Sequence, residues 1–134
     1  MTLKDLCFAL QNSNTIIDRD LAFSEFFHSI KNGFDGNILS DFNKDDLCHL
    51  DIHSLCHVLS VYECILNELG ISSNGILNYY KGVVCPMEEN AVFIALSSCM
   101  SKDNASALYN DWLLNSIEPF KSRGIIAEEF NYAI

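Results

Sequence analysis

Two prolines and six glycines in 134 residues leave few positions where the chain is obliged to turn sharply. Runs of β-branched residues are also scarce. Together these shortages argue against a meander of strands and hairpins and favour helices. No window approaches 18 consecutive apolar residues, so no segment is expected to cross a membrane as a helix. The opening Met1-Thr2-Leu3-Lys4-Asp5 lacks a basic stretch leading into an apolar one, so a secretory signal is not expected. Basic residues are few: 8 Lys and Arg stand against 18 Asp and Glu, for a net charge of −10. Such a chain is repelled by phosphate and by anionic lipid, which argues against direct nucleic-acid and membrane binding.

Catalytic signatures are missing as well. There is no GxGxxG and no GxxxxGK. Ser24, Ser54, Ser60, Ser97 and Ser98 lack the setting of a nucleophile elbow. Asp41, Asn43, Asp45 and Asp46 are spaced somewhat like calcium ligands, but the glycine and the twelfth-position glutamate of such a loop are absent. Any of six thiols can be paired on paper with any of four histidines, and no family signature surrounds such a pair. The reading is of a protein that is not an enzyme and needs no cofactor.

What the chain does contain is apolar bulk. Hydrophobic residues make up 49% of it, including nine Phe, five Tyr and one Trp, while charged residues make up 19%. That balance supports a packed core, and the length suits one domain over residues 1–134. Without a signal, Cys7, Cys48, Cys56, Cys64, Cys85 and Cys99 read as reduced thiols of a cytoplasmic protein, most of them in the core.

The periodicity predicts an all-α, compact bundle of six to eight helices, several short. A first helix covers 3–11, with Thr2 and Asp5 at capping-box spacing and Leu3, Leu6, Cys7 and Leu10 inward. A second runs from about Arg19 to Lys31, capped by Asp18, with Leu21, Phe23, Phe26, Phe27 and Ile30 inward and Gly33 closing it. Ser40 or Asp41 caps a short helix carrying Phe42 and Leu47. A long helix ends at Leu69 before Gly70. Short segments follow at 72–80 and from Pro86 to about Met100, Pro86 being suited to a first helical position. Asp103 starts the next, with Ala107, Leu108, Trp112, Leu113 and Leu114 inward and Pro119 limiting it. The last segment, Ile125 to Ile134, is expected to be helical and docked by Phe130.

The most chemical-looking stretch holds His49, His53 and His57. On one unbroken helix each lies about 40° from the last, so the three form a ladder with Cys56 alongside. Histidines at i and i+4 are a zinc-binding spacing. No second ligand pair accompanies them, and Ser60, Glu63 and Asn67 share their side, so this reads as a solvated polar face and no metal is assigned. Asp51 falls inside the apolar arc of such a helix. A break there, with Asp51 capping a fresh helix from Ile52, removes the buried charge and takes His49 out of the ladder.

Charge is the remaining signal. Between Lys31 and Lys81 lie Asp35, Asp41, Asp45, Asp46, Asp51, Glu63 and Glu68, with Lys44 as the sole base. Helix capping accounts for some of them. The expected partner-binding set is Asp35, Asp41, Asp45, Asp46 and Glu63, with His49, His53 and His57 beside them, so that local charge weakens as pH falls toward about 6. The expected partner is a basic protein. In overall type (small, acidic, without catalytic motifs) the chain resembles the immunity proteins that accompany bacterial toxins. That resemblance implies an inhibitor that occludes the cleft of a toxin or nuclease domain. Two alternatives stand beside it. One is a helical adaptor or homo-oligomer using an apolar groove near Ile71, Ile76, Tyr79, Tyr80, Val83 and Val84. The other is a nucleic-acid mimic with carboxylates spaced like phosphates.

Overall fold

A computed structural model describes residues 1–72 and 75–130 and is all-α. Its α-helices among these residues are α1 (Leu3–Gln11), α2 (Ile16–Ile30), α3 (Ile52–Leu69), α4 (Gly75–Tyr79), α5 (Ala91–Ser97) and α6 (Lys102–Leu114). Four short 3-10 turns, Gly36–Leu39, Lys44–Leu47, Met87–Glu89 and Lys121–Arg123, join them. None of the described helices is long and apolar enough to cross a membrane.

Local chemistry accounts for the helix ends. Thr2 and Asp5 form a reciprocal capping box on α1, each side chain taking the other's backbone N–H. Asp51 caps α3 by accepting from the Ser54 N–H, so the long helix does start at Ile52. Gly70 ends α3 with φ 69°, a left-handed value that glycine adopts without strain.

Other ends differ from expectation. α2 starts at Ile16, not near Arg19, because Thr15 is the residue that receives the Asp18 N–H. Between Ile30 and Asp51 there is no α-helix, only the two 3-10 turns begun by Asp35 and Asn43, each of whose side chains takes a nearby backbone N–H. The helix expected from Pro86 is split. Pro86 starts a 3-10 turn, and Asn90 begins α5 by accepting from the Val92 N–H. α6 starts at Lys102 under a Ser101 cap rather than at Asp103. Residues 125–130 are not helical, and residues 131–134 of the expected last helix lie outside the described residues. Leu21, Ala107, Trp112 and Leu114, expected inward, are exposed.

Two clusters of buried side chains follow from this arrangement. The larger joins α1, α2 and α3 through Leu3, Leu6, Phe23, Phe26, Val58 and Ile65, with Leu47, Phe120 and Ile125 sealing its ends. The smaller lies between α5 and α6 and holds Val92, Phe93, Ala105 and Tyr109, with Ile126. Ile125 and Ile126 are therefore neighbours in sequence that serve different clusters. The extended stretch around them is tied down on both sides. Asn90 Nδ2 and the Tyr109 hydroxyl both donate to the Gly124 carbonyl, at 2.8 and 3.3 Å. The Cys85 N–H donates to the Arg123 carbonyl and the Ile117 N–H to the Ala127 carbonyl.

Candidate functional site

α3 is nearly enclosed from His53 to Tyr62, so the expected solvated histidine ladder does not exist. His53 is 8% exposed and His57 only 2%. His49 lies before α3, on the surface, as the break at Asp51 requires. The first half of the side that looks polar in the sequence, His53, His57 and Ser60, is buried because its groups are small or planar enough to pack, while Glu63 is half-buried and Asn67 exposed. His57 stacks on Phe23 with ring centroids 3.7 Å apart, and Phe120 meets it edge-on. Ser60 turns its hydroxyl back onto the Cys56 carbonyl at 2.9 Å. Burial holds the His57 pKa well below the ordinary histidine value, and His53 nearby acts in the same direction. His57 is therefore neutral, and both rings are buried away from the surface a partner would meet. Among the described residues no three His, Cys, Asp or Glu side chains converge as metal ligands.

The acids divide into two groups. Three are held by cations from distant parts of the chain. Lys4 meets Asp46 at 2.8 Å, Arg19 meets Asp51 at 3.3 Å and Arg123 meets Glu63 at 3.0 Å. Asp46 also takes the Asn43 N–H, closing the capping box of its turn. The Asp46 hydrogen bond is also the largest reason the Lys4 ammonium holds its proton to higher pH than usual. Burial raises the Asp51 pKa, but hydrogen bonds from Ser54 and the charge of Arg19 outweigh it, leaving a net fall. Asp46 and Glu63, expected at a partner surface, thus have structural employment.

The second group is Asp35, Asp41, Asp45 and Glu68, all exposed and outside those three ion pairs. Asp45 lies beside a tyrosine pair at the end of α4. The Tyr80 hydroxyl donates to the Lys44 carbonyl, and the Lys44 ammonium lies 4.5 Å from the centre of the Tyr79 ring. Burial raises the Tyr80 pKa, and the charges of Cys48 and Asp45 nearby add to it. Tyr79 itself is 64% exposed and meets Tyr80 edge-on. The sequence presents an acidic stretch and a tyrosine cluster as rival surfaces; in the fold they adjoin. Ile71 and Val84 are also exposed, whereas Ile76, Tyr80 and Val83 pack against the main core.

The thiols offer little chemistry. Burial lifts Cys7 and Cys85 to about 12 and Cys56 and Cys64 to about 11, so all four are protonated near neutral pH and poor nucleophiles. Cys48 and Cys99 are exposed.

Periodicity gives no warning of one feature. A cleft of about 900 Å³ opens between α2, the C-terminal end of α6 and residues 126–128, with Phe23, Phe27 and His57 in its floor and Trp112 at its edge. Its walls come from segments more than 80 residues apart, and periodicity assigns Trp112 to the core. The available signal is His57 itself, set among Leu55, Val58, Leu59 and Val61 on α3, a polar ring packed where aliphatic residues ordinarily sit. No family model, curated protein or solved structure matches this chain.

Proposed function

We propose that this chain is a binding protein that docks on a basic protein surface through the face formed by Asp41, Asp45, Tyr79 and the exposed edge of Tyr80. The observation that carries this reading is the exposed Tyr79, packed edge-on against Tyr80, which in turn lies near Asp45, a carboxylate that no ion pair among the described residues claims. Tyrosine is a favoured interface anchor, since it buries much area while losing few rotamers. The surrounding negative potential accelerates the approach of a cationic partner, and salt weakens that steering. The class of partner we favour is a toxin or nuclease domain whose phosphate-binding cleft is rich in Lys and Arg, with this chain as the inhibitor that covers it.

The nucleic-acid mimic has less support, because Asp46, Asp51 and Glu63 are neutralised internally. The adaptor reading uses the same tyrosines but needs no charge, so salt separates the two. Capture from the native host at low salt should yield basic proteins that salt elutes, including a nuclease activity that falls when the purified chain is added back. Charge reversal at Asp41 and Asp45 should slow association about tenfold or more at low salt and flatten its salt dependence. Retained partners that are indifferent to salt, lost on Tyr79→Ala yet kept on charge reversal, would favour the adaptor instead.

A further inference from the structure

The cleft between α2 and α6 has a floor of buried side chains, Phe23, Phe27, His57, Ile126 and Ala127, among which His57 alone is polar. Its Nε2 is buried and has no hydrogen-bond partner among the described residues. A nitrogen in that position has given up its hydrogen bond to water and received nothing in return. The lining also includes the acids Asp20 and Glu128, the base Lys31 and the imidazole of His28, so the cleft carries charge of both signs with one acid in excess. Phe23, Phe27 and Trp112 supply aromatic surface, and the volume falls within the range of small-molecule sites.

We infer that this cleft is a binding site for a neutral, planar aromatic small molecule with one hydrogen-bonding group, its ring against Phe27 and Trp112 and its polar group on the His57 imidazole. Stacking on Phe23 fixes the plane of the imidazole, and the ligand reaches its Nε2, which is closed to solvent, by parting the side chains of the floor. The neutral imidazole has one donor and one acceptor nitrogen, and a hydroxyl suits either. A charged ligand loses its hydration against the apolar floor, a loss that one excess acid on an open, solvated rim does little to offset. This site is separate from the Tyr79 face and stands or falls without it.

The test uses the full chain with 2-naphthol and naphthalene as probes, followed by calorimetry and by NMR of the histidine ring nitrogens. The expected result is saturable binding of 2-naphthol about tenfold tighter than naphthalene, the difference one buried hydrogen bond makes. The His57 ring signals should move on saturation while those of the distant His49 stay still. His57→Phe keeps an aromatic ring on Phe23 but removes both nitrogens, and should erase the preference for the naphthol. Trp112→Leu, at a position 40% exposed, should leave the fold intact, as circular dichroism checks, and weaken both probes. Three outcomes overturn the inference: no saturable binding of either probe, equal affinity for the two, or His57 signals that do not respond at saturation.

Discussion

His57 shows most directly how a single residue can set a property of the whole chain. Its ring is enclosed by Phe23, Phe27 and Phe120, and burial keeps it neutral at pH values where an unfolded histidine gains a proton. Below the ordinary histidine pKa the unfolded state therefore binds more protons than the folded one. By linkage, its contribution to stability is complete above about pH 6.5 and is lost as pH falls, by up to about 1.4 kcal/mol per pH unit. Urea midpoints taken between about pH 7.5 and about pH 5.5 should fall on that slope, and His57→Phe should remove most of it. A wild-type midpoint unchanged over this range would show that the ring takes up a proton in place. Asp5 and Asp51, whose pKa values are lowered, lose their contributions only at more acid pH, below the ordinary carboxylate range, so the two effects separate. The pH dependence expected of a histidine-bearing partner surface thus moves into the fold itself.

Elements are legible where a local signal acts alone. Thr2 with Asp5, Asp51 before Ile52, and Gly70 after Leu69 are each complete within four residues of sequence; α1 begins, and α3 begins and ends, where those residues direct. The starts of α2 and α5 differ from expectation because two capping candidates compete at each: Thr15 with Asp18, and Pro86 with Asn90. Asn90 prevails through a tertiary bond that no local rule contains, since its amide also donates to Gly124 across the smaller cluster. Asn90→Ala should therefore lose both a helix cap and a buried hydrogen bond, a destabilisation of roughly 2–3 kcal/mol in urea unfolding. Asn90→Asp keeps the capping oxygen but sets a carboxylate against the Gly124 carbonyl, and should not rescue it. A loss under about 0.5 kcal/mol for Asn90→Ala would show that the link to Gly124 contributes little. Gly124 has its own constraint. It sits at φ 76°, and a Cβ there would stand 2.5 Å from the Cys85 carbonyl oxygen. Gly124→Ala should cost at least about 2 kcal/mol, because the backbone must shift as well as strain. That conflict, too, joins residues far apart in sequence and is invisible in it.

At the scale of the molecule, charge acts on folding and on binding in opposite senses. The acidic surplus is plain from composition, but its surface arrangement depends on where Lys4, Arg19 and Arg123 land, and only the fold brings them to Asp46, Asp51 and Glu63. Against a net charge of −10, the three ion pairs among the described residues involve only three of the 18 acids. The Lys4–Asp46 and Arg19–Asp51 pairs are partly exposed, and such pairs contribute little to stability, so salt has little of theirs to remove. Self-repulsion among the remaining acids outweighs them, and it weakens as the Debye length shrinks from about 30 Å at 0.01 M to about 8 Å at 0.15 M salt. Added sodium chloride should therefore raise the thermal midpoint over this range while it slows association with a basic partner. Asp41→Asn with Asp45→Asn should imitate added salt in both respects, raising the midpoint at low salt and reducing capture of the partner. Thermal scans and association rates on the same preparations check both arms. A midpoint that falls with salt would mean that the three ion pairs outweigh the repulsion, and the excess acidity would then have to be explained without any stability it sacrifices for binding.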